Sequence, residues 1–198
     1  SSTSVSESSG AGSSVGTITV TDPDSGETYA AADLTLAGDD ADEFTIADSG
    51  GDIVLQHDNA LDFETDSSYS ITIAADDPDN GNLALGAQAF TISVTDVGIT
   101  ITASQVGSVS EDANNNAAVV TVATTGDSDD NDFAIASGNG DGIFAINAET
   151  GAITVSDNSN LDYDTTSSYT LGITVSDGTS QDSEDVTINI VNVDEAPT

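Results

Sequence analysis

The 198 residues include no lysine, no arginine, no cysteine, no methionine and no tryptophan, and histidine occurs once, at His57. Each absence removes a class of function. Binding nucleic acid means neutralising phosphates with Lys or Arg, so nucleic acid is excluded as a partner, and an anionic membrane surface is disfavoured for the same reason. Without cysteine there is neither a disulfide framework nor a thiolate metal site. No apolar run approaches the ~20 residues of a transmembrane helix, so direct membrane insertion is not expected. The opening Ser1-Ser-Thr-Ser is not a signal peptide, and the chain reads as a mature segment of a longer exported protein. Trypsin-like proteases would find no cleavage site, which suits an extracellular setting.

What the chain has in excess is acid. Its 36 Asp and Glu give a formal charge of −36, and like charges on a compact body repel and destabilise it. Counter-ions are therefore required. Acids smeared over the surface indicate salt adaptation; acids at repeating positions indicate sites for a hard divalent cation. Disorder is argued against by the 36% hydrophobic content, which falls in short alternating runs such as Gly16-Thr-Ile-Thr-Val20 and Tyr69-Ser-Ile-Thr-Ile73. Gly, Ser, Thr and Asp fill the gaps, a strand-and-turn composition.

An internal repeat organises these runs. Leu61-Asp-Phe-Glu-Thr-Asp-Ser-Ser-Tyr69 returns as Leu161-Asp-Tyr-Asp-Thr-Thr-Ser-Ser-Tyr169, 100 residues later. Val5-Ser-Glu7 matches Val109-Ser-Glu111, and Ile92-Ser-Val94 matches Ile188-Asn-Ile190. A period this long exceeds the 20–50 residues of a solenoid unit and equals a β-sandwich module of about seven strands. The fold expected is all-β: two tandem Greek-key, Ig-like sandwiches over 1–98 and 105–198, joined by a linker at 99–104. Strands are expected near 3–7, 15–21, 33–37, 43–47, 52–56, 69–76 and 87–95, then 106–110, 117–123, 132–136, 142–146, 151–155, 169–176 and 184–193. Phe44, Phe63, Tyr69, Phe90, Phe133, Phe144, Tyr163 and Tyr169 are the larger core candidates.

The acids recur at fixed stations. Glu7, then Asp22 and Asp24, then Asp62 and Glu64, then Asp77 are followed in the second unit by Glu111, Asp127 and Asp129, Asp162 and Asp164, and Asp177. They sit where strands end, at the poles of a sandwich. In an extended Asp-x-Asp segment both carboxylates point the same way and can converge on one ion. Calcium takes 6–8 oxygens in loose geometry, whereas magnesium demands a stricter octahedron and zinc or copper call for His or Cys.

These residues together resemble the cadherin repeat, in the form found in large bacterial or archaeal surface proteins. Leu61-Asp-Phe-Glu64 looks like that family's Leu-Asp-Arg-Glu motif, and Asp22-Pro-Asp24 resembles its Asp-x-Asp motif. Glu7 and Glu111 stand at its early calcium-binding glutamate, Asp77 and Asp177 at its lone late aspartate. Asn192-Val-Asp-Glu-Ala-Pro197 looks like its closing linker. The resemblance implies calcium held between consecutive repeats, with Glu7, Asp62 and Glu64 of the first facing Asp127, Asp129 and Asp177 of the second. It implies that Asp22, Asp24 and Asp77 serve a preceding repeat, and that Glu111, Asp162, Asp164, Asp194 and Glu195 serve a following one. The stretch Asp96-Val-Gly-Ile-Thr100 departs from the pattern: Asp96 remains a candidate ligand, but Gly98 and Ile99 stand where linker ligands are expected. Asp164 replaces the usual glutamate and reaches one methylene less far.

The remaining acids, Asp39-Asp40, Asp42-Glu43 and Asp182 to Asp185, read as solvated faces, and Asp77-Pro-Asp-Asn-Gly81 as a turn. Gly138-Asn-Gly-Asp-Gly142 reads as a hairpin turn. His57, the only imidazole, reads as an exposed loop residue, and with no catalytic base in context the chain is not expected to be an enzyme. The expected function is that of a calcium-binding, calcium-rigidified spacer or homophilic adhesion segment at the cell surface, with neighbouring repeats or copies as partners. Two alternatives stand beside it: a self-assembling filament subunit, and a carbohydrate-binding module recognising surface glycans, for which few aromatics are available.

Overall fold

In a computed structural model of the chain, residues 3–21, 28–77, 83–127 and 130–194 are described, with residues 77 and 83–85 described by backbone alone. The chain divides into two units, Ser1–Val97 and Gly98–Thr198.

The first unit has seven strands: β1 Thr3–Ser6, β2 Ser14–Ile18, β3 Leu34–Ala37, β4 Phe44–Ser49, β5 Asp52–His57, β6 Ser68–Asp77 and β7 Leu83–Thr95. They form two sheets, ordered β1-β7-β6-β3 and β2-β5-β4. All pairs are antiparallel except β1 with β7. Side chains alternate across a strand, so β6 turns Tyr69, Ile71, Ile73 and Ala75 inward while the intervening Ser and Thr face out. Facing sheets bury Val5, Val15, Phe44, Leu55, Leu61, Ile92 and Val94 with them. Phe44 meets Tyr69 edge to face at 5.4 Å.

The second unit repeats this plan and adds to it. Its strands are β8 Thr100–Ile101, β9 Val106–Ser110, β10 Ala118–Thr121, β11 Thr124–Thr125, β12 Asp132–Ser137, β13 Phe144–Ile146, β14 Ala152–Val155, β15 Ser168–Ser176 and β16 Gln181–Val191. The sheets run β12-β15-β16-β9 and β10-β14-β13, with β9 parallel to β16. Leu171, Ile173, Val175, Val186 and Ile188 are fully shielded from solvent, and Phe144 meets Tyr169 edge to face at 5.3 Å.

Every expected strand is present within a few residues, and the all-β, two-sandwich architecture holds. Four readings change. The stretch 99–104 contains β8, which pairs antiparallel with β11, and Ile99 and Ile101 are buried in the second unit's core. Asn139, in the loop at 138–142, clamps Phe144 through both side-chain atoms, at 2.7 and 3.1 Å, but β12 and β13 lie in different sheets, so the loop crosses the sandwich and is not a hairpin turn. Tyr163 is 36% exposed and does not belong to the core. His57 is fully buried rather than exposed.

The His57 correction follows from strand register. β5 runs through His57, which pairs with Phe44, just as β14 runs through Val155 paired with Phe144. The loop amide of Gly12 donates to the His57 carbonyl at 2.7 Å, as that of Asn116 does to the Val155 carbonyl. His57 therefore occupies an inward position that the second unit fills with an aliphatic side chain. Its Nδ1–H donates to the Asn59 carbonyl at 2.8 Å, which leaves Nε2 buried without a hydrogen-bond partner.

Candidate metal centres

In the first unit the acid-bearing end is built around Glu7. This residue follows β1, and its N–H continues the parallel ladder by donating to the Thr95 carbonyl at 3.3 Å. Its two carboxylate oxygens then go to different segments. Phe63 N–H donates to Oε2 at 2.7 Å and Val97 N–H donates to Oε1 at 2.5 Å. One side chain thus draws together the Asp62-Phe63-Glu64 loop and the exit from β7 at Asp96-Val97. An ionised carboxylate offers about four acceptor positions, so each Glu7 oxygen keeps capacity for a cation.

The loop has its own lock. Leu61 is buried and anchors it. Asp62 accepts the Thr65 N–H at 2.9 Å on one oxygen and the Thr65 hydroxyl at 2.8 Å on the other, while Asp66 N–H donates to the Asp62 carbonyl at 2.9 Å. The Thr65 hydroxyl and then its N–H hold the Asp62 carboxyl below the ordinary carboxylate range. Hydrogen bonds to the charged form favour it, so Asp62 is a carboxylate fixed in direction. Nearby, burial and then the charges of Asp66, Glu43, Asp40 and Asp62 push the Tyr69 phenol up, which registers how negative this end is.

The second unit reproduces the arrangement atom for atom. Glu111 N–H donates to Val191 O at 3.1 Å, Tyr163 N–H donates to Glu111 Oε2 at 2.7 Å and Val193 N–H donates to Oε1 at 2.5 Å. Asp162 accepts the Thr165 hydroxyl at 2.8 Å and the N–H groups of Asp164 and Thr165 at 2.9 and 3.2 Å. The Thr165 hydroxyl leads the bonds that lower its pKa. Asp164 and Asp194 flank the two amides that Glu111 holds, as Glu64 and Asp96 flank those held by Glu7, and Asp164 and Asp194 are exposed.

Asp177 lies at the other end of the second unit, one length of β15 away, ~30 Å at ~3.4 Å per residue. It is one of two buried polar or charged side chains among the described residues. Oδ1 accepts Ser180 N–H at 2.6 Å and Thr179 N–H at 2.9 Å; Oδ2 accepts Ile99 N–H at 3.1 Å and the Ser180 hydroxyl. Desolvation raises its pKa, but these bonds outweigh it and hold the carboxyl well below the usual range. Asp127 follows β11 on the same end. Asp22, Asp24, Asp129 and Glu195 lie outside the described residues, as does the Asp77 side chain, although its backbone closes β6.

Gly98 and Ile99, read as replacements for linker ligands, have packing roles. A Cβ on Gly98 would meet Ser180 Oγ at 2.8 Å, and one on Gly126, at φ +98, would meet the Gly98 carbonyl at 2.2 Å. Only glycine permits that approach. Asp182, read as a solvated acid, is half-buried and accepts the Ile101 N–H at 2.7 Å, fastening β8. Its signal was available: Asp182, Glu184, Val186, Ile188 and Ile190 share one face of β16 at a period of two.

Residues 1–102 and 105–194 each match the family model of the cadherin domain. The chain belongs to the cadherin family. Solved structures that the chain matches include the human desmocollin-1 ectodomain, 21% identical over 100% of this chain and 41% of that one, with a TM-score of 0.48. Mouse cadherin-23 EC22-24 is 22% identical over 97% of this chain and 63% of its own, with a TM-score of 0.46. The chain thus spans less than two thirds of either. In cadherin terms it is two tandem repeats, and the matched family is one of adhesion modules rather than a catalytic one. Among the described residues no helix is long and apolar enough to cross a membrane.

Proposed function

We propose that the chain is a calcium-binding, calcium-stiffened repeat segment of an extracellular adhesive or scaffold protein, working beside neighbouring repeats or copies of itself. One observation carries the reading. In both repeats a glutamate at the end of the first strand holds, through its two oxygens, the amides of an acidic loop and of the exit from the last strand. The acids assigned to the ion are the chain neighbours of those amides: Asp62, Glu64 and Asp96 beside the amides held by Glu7, and Asp162, Asp164 and Asp194 beside those held by Glu111. Asp127 and Asp177 serve the opposite end of the second repeat, and the order of the stations along the chain assigns Asp129 to them and Asp22, Asp24 and Asp77 to the corresponding role in the first.

The donor set fits calcium. All the groups are hard oxygens, several are pre-oriented by hydrogen bonds, and a flexible shell of 6–8 oxygens needs no imidazole or thiolate. Calcium bound there removes like-charge repulsion and ties segments of each repeat, and consecutive repeats, to one geometry. An ion that binds only the folded state stabilises it by about 2.7 kcal/mol per site at a hundredfold excess over Kd.

Calorimetric melting at fixed ionic strength tests this. Millimolar calcium is expected to raise the melting temperature well above that in chelator, with magnesium giving a small fraction of the rise. Equal stabilisation by calcium and by an ionic-strength-matched sodium chloride solution would overturn the site reading.

A further inference from the structure

The two repeats differ in the loop that crosses between sheets ahead of Phe44 and Phe144. Its ends correspond at a step of 100 residues. Gly38 and Gly138 have positive φ, at +116 and +81, and a Cβ on either would strike the carbonyl of Ser70 or Thr170. Phe44 and Phe144 each meet a tyrosine edge to face. Asp39 of the first repeat therefore stands where the second has Asn139. Asp39 is exposed, and its loop closes on a short 3-10 turn, Ala41–Glu43. Asn139 is half-buried; its Nδ2 donates to the Phe144 carbonyl at 2.7 Å and its Oδ1 accepts the Phe144 N–H at 3.1 Å. In this loop Ile143 is 1% exposed, at the place of the half-buried Glu43.

The clamp needs an amide. A carboxylate can accept the Phe144 N–H, but it has no N–H of its own and would set an oxygen against the Phe144 carbonyl. Asn139 is followed by Gly140, and an Asn-Gly pair is chemically labile because no side chain shields the glycine nitrogen. Gly140 is exposed, and a Cβ there would meet nothing within 4 Å. Water and hydroxide therefore reach the nucleophilic nitrogen freely. What restrains the reaction is the clamp, which keeps both atoms of the side-chain amide turned toward Phe144.

We propose that Asn139 is a conformation-gated deamidation site, silent while the clamp is closed and converted when the loop opens. The Gly140 nitrogen gives its proton to hydroxide and bonds to Asn139 Cγ. The Cγ–Nδ2 bond breaks and ammonia leaves. Water then opens the succinimide, giving aspartate or isoaspartate; ammonia has been exchanged for water and nothing is oxidised or reduced. The product is a carboxylate, in the isoaspartate case on a backbone one methylene longer, and neither form restores the donor to Phe144. The first repeat shows the loop that suits a carboxylate at this position, with Asp39 exposed and the polar Glu43 after it. The second repeat cannot adopt that loop without exposing Ile143, so a single conversion leaves it permanently weakened. The site lies in the sheet-crossing loop and does not depend on calcium.

The test holds the full chain at mildly alkaline pH, folded in one sample and in concentrated urea in the other, with calcium the same in both. Cleavage after Glu111 and Glu149 releases a peptide that contains Asn139 and excludes the chain's other Asn-Gly pair, Asn80-Gly81. Tandem mass spectrometry of that peptide follows conversion at Asn139. Conversion is expected to run about tenfold or more slower in the folded chain, since two hydrogen bonds must open together before the amide can react. Equal rates in the two samples would overturn the gate. In parallel, Asn139→Asp is expected to lower the second repeat's melting transition by roughly 4–8 °C, the shift that one lost hydrogen bond produces in a domain of this size. An unchanged transition would overturn the claim that the product cannot remake the clamp.

Discussion

Ile99 and Ile101 separate a linker from a core. Substituting either by alanine in a solvated linker changes stability by less than ~0.5 kcal/mol. Both side chains are instead almost fully shielded, within the cluster that includes Val122, Phe133, Val175 and Val186. Truncating a buried isoleucine to alanine costs about 2–5 kcal/mol, the lost transfer energy plus that of the cavity left behind. β8 is only two residues long and pairs with another two-residue strand, so its neighbours can relax and the lower half of that range is expected for Ile101→Ala. Ile99 sits beside the Asp177 carboxylate that its own N–H bonds, and its truncation also exposes that bond to water. For a unit of this size each kcal/mol shifts the melting temperature by roughly 4–8 °C. Calorimetry of Ile99→Ala and Ile101→Ala is therefore expected to lower the second repeat's transition by roughly 8–28 °C and leave the first repeat's in place. Shifts of a degree or two in both variants would refute the placement of this segment in the core.

Two further perturbations follow from the same geometry. His57→Val puts into the first repeat the residue that the second carries at Val155; it removes the unpartnered Nε2 and leaves the exposed Asn59 carbonyl to water, so urea denaturation is expected to show a stability gain of up to about 1 kcal/mol, and a loss of that size would refute the reading. Asp177 has a lowered folded-state pKa, so its contribution is fully present above the unfolded value near ~3.9 and is lost as pH falls through the folded value. Denaturation midpoints of wild type and Asp177→Asn are therefore expected to lie apart at neutral pH and converge in acid below about pH 4, and a gap that stays constant down to the acid limit would contradict the hydrogen-bonded carboxylate.

Much of this molecule is legible in the chain because period-two alternation reports directly on which face of a strand is buried. Tyr69, Ile71 and Ile73 announce β6, and Leu171, Ile173 and Val175 announce β15. The hydrogen-bonded loop of Asp62 and its copy at Asp162 were legible as a repeated motif, since copying at a fixed interval shows in the chain order alone. The readings that changed involve short segments and single residues, where periodicity has too few terms to be measured. Two residues of β8 cannot display an alternation, and β11 is equally short. His57 lies at the last position of its strand, where an inward side chain and a loop side chain look alike. Asp182 was set aside for its charge, although its place in the alternation of β16 pointed inward.

By itself the sequence determined every strand but β8 and β11, the duplication and the list of acids, since each depends on local order along the chain and on copying at a fixed interval. Tertiary structure decided what those residues do. Glu7 and Glu111 become organisers because two amides distant in sequence arrive at their two oxygens. Gly98 and Ile99 become packing elements because Ser180 and Gly126 close on them. None of these contacts is encoded by neighbours in the chain; each depends on which strands the sheets bring side by side.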